Sequence, residues 1–192
     1  MRASREKQAA DTRAALLAAA ERVFAAKGYL NTKITDITAE AGRSAGSFYN
    51  HFTGKEQLLE ALLGEVAAAS DAWAADEAHR ADFSDPEAVR HHVSAYWRVH
   101  RAHAPTMAAL RQAALVSEEF AAVLDRFRRD QSGDLAGHLA PVERLPASPG
   151  TSLALMTTVL EGLAGLWPEL SEEEAVEAGT RFLYRALNGR DY

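Results

Sequence analysis

The sequence predicts an all-α protein: an N-terminal three-helix helix-turn-helix head followed by a larger helical body. Three observations carry this. Apolar residues recur at helical spacing along nearly the whole chain, and no alternating, β-branched segment makes a convincing strand. Thr35 to Lys55, TDITAEAGRSAGSFYNHFTGK, fits two short helices and a glycine turn into about twenty residues. Charge is also segregated. Met1 to Lys55 carries nine Lys and Arg against five Asp and Glu, a balance of +4, whereas the remainder carries 12 against 22, a balance of −10. A basic head attracts phosphate while an acidic body limits indiscriminate coating of nucleic acid.

Composition sets the outer bounds. At 192 residues, 47% hydrophobic and 25% charged, the chain can bury a proper core. No apolar run approaches the roughly 18 residues that span a bilayer. No apolar segment follows the charges of MRASREKQAAD, so no secretory signal and no membrane partner are expected, and the location is expected to be cytoplasmic. The absence of cysteine excludes disulfides, thiolate metal sites and cysteine nucleophiles.

The elements follow in order. Arg2, Arg5 and Lys7 lie in a polar arm that could touch a phosphate backbone and is otherwise expected to be disordered, the favoured reading. The first helix, about Asp11 to Lys27, aligns Leu16, Ala20, Val23 and Phe24 on one stripe and ends at Gly28. Thr35 is expected to cap a second helix with Ile37 and Ala41 inward, and Gly42 supplies the left-handed position that closes it. Ser44 caps a third helix. At about 100° per residue, Ala45, Phe48 and Phe52 fall on one side of it, and Gly46, Ser47 and Asn50 on the other. That outward face is small and polar, so it lets the backbone approach base edges and phosphates.

From Glu56 a long helix continues through Leu58, Leu59, Leu62, Val66 and Trp73 toward about Asp76, placed as a lever between head and body. Asp85 caps the next helix with Pro86 at its first position. Up to His103 this helix keeps Val93, Tyr96, Trp97, His100 and His103 within about 80° of Val89. Pro105 starts a helix with Met107, Leu110, Arg111, Leu115 and Val116, and Glu118 one with Phe120, Leu124 and Phe127. The loop APVERLPASPG then separates the last pair. Thr151 to Trp167 has two apolar faces, one through Leu153, Met156, Leu160 and Leu163, the other through Leu155, Val159, Gly162 and Leu166. Pro168 stops it, Ser171 caps the final helix, and Gly179, Phe182, Leu183 and Ala186 share a face there. The second face of one helix and this face of the other predict a four-helix homodimer interface. Its members are Leu155, Val159, Gly162, Leu166, Gly179, Phe182, Leu183 and Ala186.

The order KGYLNTKITDITAEAGRSAGSFYNHFTGKEQLLEALL resembles the DNA-binding head of TetR-family transcriptional regulators. The shared pattern is a glycine-aromatic turn, a threonine pair, an isoleucine-alanine helix, a glycine turn and the ending Tyr49, His51, Phe52, Lys55. It covers about the first third of the chain. The resemblance implies that Tyr49, His51 and Lys55 hold the phosphate backbone of a double-stranded DNA operator. Base reading then falls to Ser44, Gly46, Ser47 and Asn50, with Lys33 and Thr35 near the start of the second helix; the Asn50 amide can pair bidentately with adenine. Thr38, Arg43 and Ala45 depart from the usual family letters. Ala45 replaces a common lysine, and Arg43 restores a charge two residues earlier.

The expected division is a DNA-binding domain over 1–54 and an effector-binding and dimerisation domain over 55–192. Trp73, Tyr96, Trp97, His100, Met107, Arg111, Phe120, Leu124, Phe127 and Met156 are the expected lining for a small, mostly apolar effector with a polar group. Their other reading is as core side chains of a helical bundle. The function implied is a homodimeric, ligand-responsive regulator, a repressor that releases a near-palindromic operator; the alternative is a constitutive DNA-binding protein. His91, His92, His100 and His103 raise a metal-dependent or enzymatic rival. No paired acid and base, nucleophile elbow or phosphate loop accompanies them, and no carboxylate joins His100 and His103 on their face, so no catalysis, cofactor or metal is expected.

Overall fold

The computed structural model describes residues 2–74, 79–166 and 169–192. Among the described residues there are α-helices and one 3-10 turn and no strand. In chain order these are α1 (Arg2–Lys27), α2 (Ile34–Glu40), α3 (Ala45–Tyr49), α4 (Lys55–Ala74), α5 (Pro86–Ala102), α6 (Ala104–Ala114), α7 (Glu118–Asp134), the 3-10 turn Ala136–Leu139, α8 (Pro149–Leu166) and α9 (Glu172–Asn188). No described helix is long and apolar enough to cross a membrane. Asp76, Trp167 and Pro168, which enter the expected helix ends, lie outside the described residues.

Two expectations need correction. The polar arm is helical: α1 begins at Arg2, and Arg5 and Lys7 stand exposed on it. Its first ten residues contain no glycine or proline, and alanine, glutamate, lysine and glutamine all favour a helix. The second helix starts before Thr35, not after it. Lys33 holds the extended cap conformation (φ −103°, ψ 155°), and its N–H donates to Asp36 Oδ2 at 2.9 Å. The Asp36 carboxylate takes the capping role because the helix N-terminus and Lys27, 2.8 Å from it, both favour negative charge there.

The chain forms two compact units. The first comprises Met1–Ala67 and His103–Leu124. Here α1 packs on α2, α3 and α6, and Leu16, Phe24, Ile37, Phe48, Leu58, Leu59, Leu62 and Leu110 are buried. Gly28 and Gly42 adopt φ of 73° and 62°, so each ends its helix without the Cβ clash another residue would suffer. Side chains of α6 reach back to α1. Thr106 Oγ1 donates to Glu21 Oε1 at 2.9 Å, and Gln112 Oε1 accepts the Tyr29 N–H at 2.8 Å. Gln112 therefore satisfies a backbone donor that the end of α1 leaves open.

The second unit comprises Ala68–Ala102 and Asp125–Tyr192. Helices α5, α8 and α9 pack on one another, with Phe83, Val89, Val93, Leu153, Met156, Leu160 and Leu183 in the core. Gly179 permits this approach: a Cβ there would stand 3.0 Å from both Leu163 and Val93. The caps are those the sequence predicts. Asp85 Oδ1 accepts the Glu87 N–H at 2.9 Å, and Ser171 Oγ accepts the Glu174 N–H at 3.2 Å.

Candidate nucleic-acid interface

The interface is built on α3, only five residues long and held by what flanks it. Ser44 Oγ accepts the Ser47 N–H at 3.1 Å, capping the start. Phe48 is fully buried, with Phe52 and Tyr49 rings 5.6 and 5.5 Å from it, so the helix is anchored on one side. The opposite side is open. Arg43, Ser44, Ala45, Gly46 and Asn50 are exposed, Ser47 and His51 are half-buried, and Lys33 and Thr35 are exposed at the start of α2. Tyr49 is 59% exposed although its ring touches the core phenylalanine, so its hydroxyl is available to an outside acceptor. A Cβ built on Gly46 would meet nothing closer than 3.9 Å. Packing within the chain therefore does not require glycine at that position, and its bare backbone is accessible from outside.

Lys55 is placed differently from the other expected DNA-facing residues. Its ammonium donates to Tyr29 O at 2.9 Å and to Thr32 O at 2.7 Å, and it lies 4.3 Å from the centre of the Tyr29 ring. Two of its three donors thus tie the turn after α1 to the first residue of α4. Burial holds the ammonium below the usual lysine range. Tyr29 is engaged on every side, since its hydroxyl donates to Glu56 Oε1 at 2.9 Å; burial and that carboxylate push the phenol well above its ordinary value.

Residues 16–62 match the family model described as bacterial regulatory proteins, tetR family. Over 61 residues the chain is 39% identical to the HTH-type transcriptional regulator TtgR of Pseudomonas putida, a match covering 32% of this chain and 29% of that protein. The chain thus spans under a third of the length of the first curated relatives it matches. The HTH-type transcriptional regulator EthR of Mycolicibacterium smegmatis is 26% identical over 190 residues, covering 93% of this chain and 87% of the relative. The head, over residues 16–62, is thus that of the tetR family of bacterial regulatory proteins. Its fold agrees with that of a tetR-family bacterial regulatory protein from Rhodococcus RHA1, with a TM-score of 0.77 at 22% identity over 92% of this chain and 97% of that one.

The expected effector residues fall in both units. Trp73, Tyr96, Trp97, His100, Phe127 and Met156 belong to the second; Met107, Arg111, Phe120 and Leu124 belong to the first. Trp97, His100, Phe120, Leu124 and Met156 are buried, Trp73, Tyr96, Met107 and Phe127 half-buried, and Arg111 exposed. Tyr96 and His100 stack with ring centres 6.0 Å apart. A cavity of about 1120 Å³ in the second unit is lined by Trp73, Arg90, His91, Arg98, Glu172 and Glu177 among others; of the expected residues, Trp73 alone lines it. Its wall combines ion pairs with the apolar surface of Trp73 and Val176. Arg90 pairs with Glu177, Arg98 pairs with Glu172 at 2.6 Å, and the Arg98 guanidinium lies 5.3 Å from the centre of the Trp73 ring.

The expected dimer residues also divide. Leu155 and Phe182 are 55% and 59% exposed, Ala186 is exposed, and Val159 and Gly162 are half-buried. Gly179 and Leu183 are buried inside the second unit, where Leu183 belongs to the core and Gly179 faces Leu163 and Val93. The Leu166 side chain lies outside the described residues.

The fold also assembles a group that sequence spacing does not. His92 of α5 meets His79, which precedes the helix, and His138 of the 3-10 turn. Of the histidines weighed with His92, His91 stays beside it with ring centres 5.5 Å apart, whereas His100 stacks on Tyr96 and His103 lies 3.8 Å from Glu21 in the first unit. Burial pushes His92 down to about 4, with the neighbouring rings adding to the effect, and burial lowers His138 as well. Local sequence gives no sign of the group, because His138 is remote along the chain and arrives through the packing of the second unit.

Proposed function

We propose that this chain is a DNA-binding transcriptional regulator, a homodimeric repressor that releases a near-palindromic operator when a small molecule occupies its body. The observation that carries the reading is the exposed polar face of α3, with Gly46 bare and Asn50, Ser44 and Arg43 outward on a helix whose other side is anchored by Phe48. In this reading Asn50 and its neighbours meet base edges, while Tyr49 and His51 hold phosphates. Lys55 stands behind them and holds the turn that positions the head. DNA binding belongs to 1–54, and effector binding and dimerisation belong to 55–192, in the cytoplasm.

One short face reads few base pairs, so function requires two copies on half-sites about 34–36 Å apart. Leu155 and Phe182, large apolar side chains exposed on α8 and α9, are the supports for pairing through those helices. The effector, mostly apolar with a polar group, must bind the DNA-incompetent dimer more tightly than the competent one, since equal affinity shifts nothing. The test is a gel-shift titration against DNA upstream of the protein's own coding region at several salt concentrations. Saturable, sequence-dependent binding that weakens with salt supports the regulator; equal affinity for scrambled DNA sinks it.

A further inference from the structure

We propose that His79, His92 and His138 hold a divalent transition-metal ion of the zinc kind, one per chain. One ring nitrogen from each lies within 4.8 Å of the other two, and His79 Nε2 stands 2.9 Å from His138 Nε2. The ring centres are 4.8 Å apart for His92 and His138, 5.0 Å for His79 and His138, and 5.1 Å for His79 and His92. Three imidazoles bound to one tetrahedral zinc at about 2.0–2.1 Å place their ring centres about 5 Å apart, so the triangle has the size a bound ion requires.

Hydrogen bonding points the same way. His92 Nδ1 lies 2.8 Å from Ala88 O, and a carbonyl only accepts, so Nδ1 carries the proton and Nε2 keeps its lone pair. That is the tautomer and orienting bond of a metal-ligating histidine. Without a metal, the 2.9 Å His79–His138 contact is a hydrogen bond in which one Nε2 donates its proton to the other, and a cation takes the place of that proton. A cation satisfies all three at once. Nitrogen ligands without a carboxylate suit zinc, copper or nickel and not magnesium or calcium.

The surroundings are built to hold the rings still. Phe83 is fully buried, with its ring 4.9 Å from His92 and 5.1 Å from His138, and its N–H donates to His138 O at 3.0 Å. Asn188 Nδ2 donates to Phe83 O at 2.9 Å and the Tyr184 hydroxyl to Ser84 O at 3.2 Å, so α9 fixes this turn. His91 stands between this group and the cavity of the second unit: it lines that cavity, its ring is 5.9 Å from His79, and its buried Nε2 has no hydrogen-bond partner. Three neutral ligands leave one tetrahedral position for water, hydroxide or an anionic donor.

The test uses full-length protein stripped with chelator and titrated with zinc chloride, read by calorimetry, elemental analysis and thermal unfolding. One zinc per chain is expected, with a raised melting temperature that magnesium does not produce. His79→Ala, outside any helix, is expected to weaken zinc at least about tenfold and to abolish the rise, while His103→Ala in the other unit binds as the unchanged protein does. No zinc uptake, or equal affinity in His79→Ala, overturns the site. If His79→Ala loses its helical circular dichroism, the cobalt(II) spectrum of the unchanged protein decides instead: tetrahedral bands support the site, and the octahedral spectrum of the aquo ion overturns it. DNA binding is not read in any arm, so the outcome is independent of the regulator proposal.

Discussion

Replacing Lys55 by methionine separates two roles for one ammonium. Methionine keeps the unbranched stem and removes the charge. Tyr29 and Thr32, whose carbonyls accept from Lys55 at 2.9 and 2.7 Å, are only 3% and 2% exposed, so water reaches their carbonyls poorly after the change. Hydrogen bonds from a charged donor contribute about 1.5–3 kcal/mol each. Burial of the ammonium, visible in its lowered pKa, offsets part of that gain. The net loss expected for Lys55→Met is about 2–3 kcal/mol, or about 5–10 °C in melting temperature for a chain of this size. Thermal unfolding measures the stability, and DNA titrations over a series of salt concentrations measure the contacts. A phosphate contact would subtract about 0.9 from the slope of log affinity against log salt, whereas a positioning lysine leaves that slope unchanged in the folded protein. Lys55→Met melting with the unchanged protein while losing one unit of salt slope would refute the positioning role.

Other substitutions probe the remaining parts. Asn50→Ala, at an exposed helix end, is expected to leave melting unchanged and to weaken operator binding about tenfold to a hundredfold without weakening binding to random DNA; a uniform loss on both assigns Asn50 to phosphate instead. Phe182→Glu is expected to convert the proposed dimer to monomer in size-exclusion chromatography with light scattering, and a persisting dimer removes α9 from the interface. Gly42→Ala costs about 1 kcal/mol in chemical denaturation because φ is 62° there; no atom lies within 4 Å of the added carbon, so a much larger loss contradicts a purely backbone cause. The Lys27 ammonium and the Lys33 N–H hold the Asp36 carboxyl below its usual range. Its capping contribution is therefore complete above the ordinary carboxylate pKa and disappears as pH falls through the lowered folded value. Acid titration of Asp36→Asn is expected to lose part of the stability decline below about pH 4.

The parts legible in the sequence are those decided by near neighbours. The Ser44 and Ser171 caps, Asp85 before Pro86, and the Gly28 and Gly42 stops depend on a few consecutive residues, and each is where the pattern predicts it. The Asp36 cap is equally local and was obscured because a threonine at position 35 is itself a good cap. Contacts set by tertiary packing are not legible in this way. Gln112 reaching Tyr29 and Thr106 reaching Glu21 join positions more than eighty residues apart, and no periodicity within α6 distinguishes a side chain that grips α1 from one that lines a cavity. Gly179 illustrates the same limit. A small residue in line with Phe182 and Ala186 predicts close approach of a helix but not which helix, and the approach is made within the chain by α5 and α8.

The family pattern and the base-facing surface are therefore carried by different residues, although the pattern's Tyr49 and His51 also reach the surface. Tyr29, Phe52 and Lys55, letters of the family pattern, and Phe48 beside them are buried or spent on internal contacts. Their chemistry maintains the angle at which α3 is presented, whatever DNA it faces. Arg43, Ser44, Ala45, Gly46, Ser47 and Asn50 face outward, and the departures at Arg43 and Ala45 cost the fold nothing because both are exposed. A match to the pattern is consequently strong evidence for the helix-turn-helix frame and carries no information about the operator. Exchanging Arg43, Ala45, Gly46, Ser47 and Asn50 for those of another head, while keeping the Ser44 cap, Tyr29, Phe48 and Lys55, should move sequence preference with the exchange and leave stability within about 0.5 kcal/mol. Loss of folding on that exchange would mean that the outward residues also hold the frame.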